Sequence, residues 1–464
     1  MAFSKFLDAK RRDCKALVAE LRKDFAYVSV LGVDIKTTAI RVDRNTASIG
    51  PGFDTECGFV VKMHNGTVFF EYSLDDISGD IPALARKIAD SVACKSGNTI
   101  AESTLPDEPL TQDFAREHDL ADYTESQLLD FCKEQCETLL GKSEHLLNAM
   151  VNLQQLEVSK LFISQNRELS QNYAWVNGIL VAIYRENDKV VQAMESANHH
   201  RMADVLAQLP TKQEKLLHTA HCLTLAKPIE PGFYDVITDP SITGLIAHEA
   251  FGHGVEMDQF VKDRALAKEY VGKYVASPIC NMRDGAASTL SAASYFFDDD
   301  GVLAGDTQII KDGILVTGIS DLASATQLGT APTGNGRRES ARRKAYARMT
   351  NTFFEKGTDK LEDMIASIQH GYMLFETDNG MEDPKNWAIQ CVAEYGIEIV
   401  DGKLTDNWVS PVVMSGYVPD LLKSISMVSD DFVITGSGMC GKGYKEWVRV
   451  SDGGPALKVK VKLG

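Results

Sequence analysis

Two histidines flank a glutamate in His248-Glu249-Ala250-Phe251-Gly252-His253. Neutral imidazoles bind zinc at about 2.0–2.1 Å, and a carboxylate beside them serves as base for an attacking water, so these residue types suit a hydrolytic metal centre. The spacing limits how they can do so. In the familiar His-Glu-x-x-His arrangement the histidines lie on one helical face. Here they lie five residues apart, and at about 100° per residue the second ring turns about 140° away from the first. One ion reaches both only where the helix widens to roughly 4.4 residues per turn, as in the π-bulges that recur at functional sites. Gly252, just before the second histidine, removes side-chain crowding and permits that distortion. Glu256 and Asp258 follow directly and are candidates to accept the free N–H of a ligating ring.

A catalytic zinc takes three protein ligands and keeps one position open. Several side chains compete for the third place. His218 and His221 sit three apart on a preceding helix, where a polar face is the simpler reading. His199-His200 reads as a solvated turn, and Cys132 with Cys136 as helix-core thiols. Cys440 lies in the glycine-dense run Gly436–Gly443, where packing gives no reason for a thiol and glycines let the backbone approach a site closely. Lys442 beside it favours the thiolate, the form that binds metal. The residues alone leave the third ligand open.

The elements that must position these groups divide at about residue 226. The pattern predicts an α+β protein: an N-terminal mixed α/β domain over 1–226, then a largely β domain over 227–464 with an embedded metal-binding helix. In the first part, amphipathic helices are expected to Lys23, over Ile81–Val92 with Asp80 as N-cap, and after the capping boxes Thr124–Gln127 and Thr211–Glu214. Strands are expected near Ile35–Asp43, Gly58–Met63, Thr67–Tyr72, Lys160–Ser164 and Tyr173–Arg185, with His64-Asn65-Gly66 as a hairpin turn. Residues 97–123 read as a polar surface loop. In the second part, short strands alternate with turn dipeptides at Asp300-Gly301, Asp312-Gly313, Asn379-Gly380 and Asp401-Gly402, and helices are expected over 242–256 and 358–370.

Composition narrows the class. The 464 residues carry a formal charge of −17, with 44% hydrophobic and 24% charged residues, which is ordinary for a globular chain. The acidic balance argues against binding nucleic acid through phosphate contacts. Apolar runs such as Gly178–Ile183 are far too short to span a bilayer. The first residues show helical spacing and no signal pattern, and the nine cysteines are scattered, so a cytoplasmic protein with free thiols is expected. The one basic cluster is Arg337, Arg338, Arg342, Arg343, Lys344 and Arg348. It reads as a solvated or subunit-contact face, or, around Arg337 and Arg338, as a patch that attracts acidic substrate peptides.

The run His248–Asp258 resembles the signature of the TldD/PmbA family of metallopeptidases, on its metal-retaining side. Tyr234–Pro240, Phe297–Gly301, Ile309–Leu315, Gly334–Arg338, Ala347–Asn351 and Glu398–Lys403 resemble family landmarks in their usual order, and Met439–Lys442 resembles the family's cysteine loop. The resemblance covers roughly 230–460; in the first half only the pattern around Lys160–Tyr184 is similar. It implies Zn2+ held by His248, His253 and Cys440, Glu249 as catalytic base, and hydrolysis of unfolded or unstructured peptides. It also implies a homodimer, or a heterodimer with a related subunit that lacks the motif. A non-catalytic regulatory subunit, of the DNA gyrase modulator kind also attached to this family, is the alternative; the intact motif and the acidic charge weigh against direct action on DNA.

Overall fold

The computed structural model describes residues 3–66, 68–92, 108–186, 188–436, 438–443 and 445–464. The part of the expected polar loop at 97–107 therefore lies outside the described residues, as does Cys94.

The N-terminal half is built on one eight-stranded sheet. Its strands are β1 (Tyr27–Asp43), β2 (Ala47–Pro51), β3 (Glu56–His64), β4 (Phe69–Leu74), β5 (Leu110–Ala115), β6 (Leu146–Ser164), β7 (Arg167–Glu186) and β8 (Lys189–His199). They run in the order β4-β3-β1-β6-β7-β5, with β2 on β1 and β8 on β7. The strands are longer than their sequence patterns suggest: β6 and β7 have 19 and 20 residues. Each switches face partners along its length, so no single alternation runs through it. Helices α1 (Lys5–Leu21) and α2 (Ile81–Val92) cover one end of the sheet, burying Leu7, Leu17 and Ile88 against Val30, Phe59 and Val61. Helix α3 (Glu125–Gly141), α4 (Met202–Gln208) and α5 (Gln213–Leu225) cover the other, through Leu128, Cys132, Val205 and Leu216.

Thr124 and Gln127 form the expected reciprocal cap, and Asp80 accepts from the Ala83 N–H at 3.0 Å. Thr211 does not cap α5. Its hydroxyl donates to the Gln208 carbonyl, because α4 continues through a 3-10 turn straight into α5 and leaves no free N-terminus. The 64–66 turn forms as expected, with Gly66 at φ +93°.

The C-terminal half contains a closed barrel. Strands Gly232–Thr238 (β9), His370–Asp383, Ala388–Val400, Val412–Tyr417 and Leu457–Leu463 bond in a ring, because His370–Asp383 pairs with both Gly232–Thr238 and Ala388–Val400. Strict alternation marks the last strand: Leu457, Val459, Val461 and Leu463 are buried, while Lys460 and Lys462 face solvent. A six-stranded sheet lies beside the barrel and includes Asn351–Phe354 and Ser451–Gly454. Asp312-Gly313 and Asp401-Gly402 are turns in the left-handed region. Asn379-Gly380 is not a turn. It lies inside His370–Asp383, next to a register shift, and position 380 is glycine where a side chain would meet the Glu249 Cγ at 2.5 Å. The 358–370 helix is shorter than expected, Leu361–Ala366. No helix of the described residues is long and apolar enough to cross a membrane, and the eight described cysteines are free thiols.

The two halves meet across the second face of the N-terminal sheet, where Leu156, Val158, Tyr173 and Trp175 pack on Ala286, Ala292 and Tyr295. Buried ion pairs cross the same seam, Lys62 to Asp300 and Lys160 to Asp299.

Candidate metal centre

Strand β9 ends at Thr238, and Asp239 caps the next helix, α6 (Pro240–Leu245), by accepting from the Ile242 N–H at 2.8 Å. Proline at the first helical position needs no donor there. The helix then widens into a π-helix over Ile246–Gly252 and tightens to a 3-10 turn at His253–Val255. The five-residue spacing thus meets the backbone it requires. The two rings lie 5.1 Å apart, centroid to centroid, and nearly perpendicular.

Cys440 arrives from a different element. Met439–Lys442 and Lys445–Arg449 form a two-stranded hairpin that places the thiol between the imidazoles. Its Sγ is 3.0 Å from His248 Nε2 and 3.3 Å from His253 Nε2. The three ligand atoms all lie within 4.8 Å of one another, and among the described residues this is the one cluster of its kind. Tetrahedral zinc separates its sulfur and nitrogen ligands by about 3.6 Å, so the two sulfur–nitrogen separations open by about 0.6 and 0.3 Å to admit the ion. His218 and His221 take no part: His221 bonds Glu186 and His218 lies against Trp408. His199 pairs with Asp204, and Cys132 and Cys136 are buried core thiols.

The electrostatics of the cluster suit a cation. Burial opposes ionisation of Cys440, yet the two imidazoles hold it well below the ordinary thiol range. Burial pulls His248 down, and the Cys440 thiolate lifts it to about 9. His253 rises well above its usual value against the same burial penalty, through Cys440 and then Glu256. A deprotonated thiolate between two imidazoles, compensated by positive charge, is a donor set that fits zinc.

The surrounding groups fall partly where the sequence places them. Glu256 accepts from His253 Nδ1 at 3.2 Å. Asp258 does not reach a ring. It pairs instead with Lys442 at 2.6 Å and Lys262 at 2.9 Å, because the 3-10 turn carries it past the histidines. Lys442 is accordingly held by Asp258 and Glu256. The cation on the thiol is Arg348, fully buried, whose Nη2 donates to the Cys440 Sγ at 2.9 Å and whose Nε pairs with Glu256 at 3.1 Å. Arg348 hides in the sequence as one member of a basic run. Asp452, whose Oδ2 is 3.8 Å from His248 Nδ1, hides in a turn-like Asp-Gly-Gly-Pro; burial pushes it up to about 6.

The basic cluster is not one surface. Arg338 is buried against Glu71, Arg342 pairs with Asp75 outside, and Arg337 donates to the Met349 carbonyl and lies over Tyr295.

Glu249 lies on the next position of the π-helix, its Oε1 4.0 Å from His248 Nε2. Both face a cleft of about 910 Å³ that is bounded by residues 377–385, Gly438–Gly443 and Trp447. The N-terminal half reaches this site through the loop ahead of the hairpin. Trp175 Nε1 donates to the Gly436 carbonyl at 3.2 Å, and Asn198 Oδ1 accepts from the Gly436 N–H at 3.1 Å. At the far end, Arg449 pairs with Asp54 and bonds Gln154.

Comparison with known proteins gives three results. The model for the PmbA/TldA metallopeptidase C-terminal domain matches residues 231–462. A Synechocystis metalloprotease is 28% identical over 76% of this chain and 75% of its own length. A zinc metalloprotease TldD homolog from Saccharolobus solfataricus is 29% identical over 65% and 68%. Several other curated relatives named metalloproteases match over about half their length. Among solved structures, a Thermotoga maritima protein described as a modulator of a DNA gyrase has the same fold, with TM-score 0.79, 17% identity, and 98% of this chain and 100% of that chain covered.

Proposed function

This chain belongs to the PmbA/TldD family of metallopeptidases, and from that premise we propose that it is a zinc-dependent peptidase acting on unfolded or unstructured peptides. The observation that carries the proposal is the meeting of His248, His253 and Cys440 at one point, with Glu249 beside it, at the wall of an open cleft. The three would hold the ion, which when bound supplies Lewis acidity at a peptide carbonyl and acidifies water toward neutral pH. Glu249 takes the proton from the attacking water and returns it to the leaving amine. Glu256 orients His253 and fixes its tautomer through Nδ1. Arg348 donates to the Cys440 Sγ and holds it in place. A cleft of about 910 Å³ has the volume of a few residues and not of a folded domain, which supports an unstructured substrate.

We place the domain boundary near residue 226, the location in the cytoplasm, and the working form as a homodimer or a heterodimer with a related subunit. Glu249→Gln tests the chemistry. It retains zinc and loses hydrolysis of an unstructured peptide by about 10²-fold or more. A non-catalytic regulatory subunit, the reading suggested by the gyrase description of the Thermotoga protein, predicts no hydrolysis in the unaltered protein and no effect of the substitution on its binding role.

A further inference from the structure

A second cavity, of about 310 Å³, lies behind the Cys440 hairpin, between it and the N-terminal sheet. Its floor is a row. Ile35, Val158 and Tyr173 are register partners across β1, β6 and β7, so they present one continuous apolar strip. Tyr295 covers one side. The hairpin closes the other with Met439 and Trp447. Those two residues also line the metal cleft, so the cavity and the cleft adjoin around the strand that carries Cys440. Trp447 lies against Gly441, the residue after the thiol: a side chain there would stand 3.2 Å from the indole ring.

The charges of the wall are unequal in their partners. Arg338 is paired with Glu71, Arg343 with Glu339 and Arg449 with Asp54. Arg337 has no carboxylate partner among the described residues. Among the described residues it makes one donation, to the Met349 carbonyl at 2.6 Å, and its guanidinium lies 5.7 Å from the Tyr295 ring centre. Its remaining donors are available to a ligand carbonyl. The volume is at the small end of the range for ligand pockets, suited to one or two side chains and too small for a large cofactor.

We propose that this cavity is a subsite for one large apolar side chain, aromatic above all, of the peptide whose neighbouring bond lies in the metal cleft, with Arg337 donating to a carbonyl of that segment. The proposal rests on the peptidase reading, since it is the peptide in the cleft that brings the side chain within reach. An aromatic ring placed here exchanges water for Ile35, Val158, Tyr173 and Trp447, which favours it over glycine.

The test uses the full-length Glu249→Gln protein and labelled, end-blocked peptides that differ only in one central residue, glycine or phenylalanine, with affinity read by fluorescence anisotropy. The phenylalanine peptide should bind at least about tenfold tighter. Ala292→Phe, which fills the cavity from its C-terminal wall, should bring that ratio near one; Ile35→Trp, filling it from the sheet, is the second variant should the first fail to fold. Arg337→Gln should weaken both peptides alike. Equal affinities in the unfilled protein, or a preference that survives filling, overturns the subsite. Hydrolysis of the same peptides by the unaltered protein is measured alongside. Aromatic preference in binding with no hydrolysis would defeat the peptidase reading and leave the subsite standing; hydrolysis with no preference would do the reverse.

Discussion

Gly252→Ala is the substitution whose outcome separates two accounts of the π-helix. Gly252 has φ −61° and ψ −51°, an ordinary right-handed helical conformation. Alanine adopts it freely, and on helix propensity alone the change stabilises by about 1 kcal/mol. Space decides otherwise. A Cβ at 252 would stand 2.1 Å from the Met349 Sδ and 3.0 Å from the Ala247 carbonyl oxygen. The first distance is about 1.5 Å inside normal contact. Met349 is fully buried and cannot simply swing into solvent. Overpacking of this kind costs about 1–3 kcal/mol, and the depth of the clash puts it at the upper end, so the net loss is about 1–2 kcal/mol. The assay is a double-mutant cycle by urea unfolding, with Gly252→Ala, Met349→Ala and both together. Met349→Ala alone leaves a cavity costing about 2–5 kcal/mol. The pair should be more stable than the sum of the singles by about 1–3 kcal/mol, because the methyl added at position 252 then fills part of that space. Additivity within about 0.5 kcal/mol, or a Gly252→Ala protein more stable than the parent, refutes the steric account.

Other perturbations probe the support of the site. Arg348→Met leaves Glu256 with one buried cation fewer and removes the donor to Cys440; unfolding should show a loss of about 3–5 kcal/mol, and competition with a chelator should show weaker zinc binding. Asn198→Ala frees the Gly436 N–H and should weaken zinc binding with little change in the far-UV circular dichroism, since it loosens only the approach to the cysteine hairpin. Burial pushes Asp239 up to about 6 from its usual 3.8. The folded state therefore holds this proton more tightly than the unfolded state, so the contribution is complete below about pH 3.8 and is lost as pH rises through about 6, a fall of about 3 kcal/mol. Asp239→Asn keeps an N-cap acceptor and should flatten urea midpoints across that window; an unchanged slope would show that Asp239 does not carry it.

The part of the site that was legible is local. His248, Glu249 and His253 announce themselves by type, and the five-residue spacing implies the widened helix that is found. Cys440 stands out because a thiol in a run of glycines has nothing to pack against in sequence. What was illegible depends on contacts distant in the chain. Arg348 reaches Cys440 across 92 positions, so a run of basic residues gave no sign that one of them is buried. Asn379-Gly380 follows turn chemistry, yet the glycine is there because Glu249 passes close to a continuous strand. Barrel closure rests on one strand, His370–Asp383, pairing on both edges, and pairing between remote strands leaves no periodic trace. The same holds for β6 and β7, whose faces meet helices at one end and the C-terminal half at the other.

The central claim is that one zinc ion sits between His248, His253 and Cys440. Zinc K-edge X-ray absorption on the metal-loaded protein tests it most directly. We predict one sulfur at about 2.3 Å and two imidazole nitrogens at about 2.0–2.1 Å, with the sulfur shell lost in Cys440→Ser. Bound zinc without a sulfur ligand, or a sulfur shell that persists in Cys440→Ser, would contradict it.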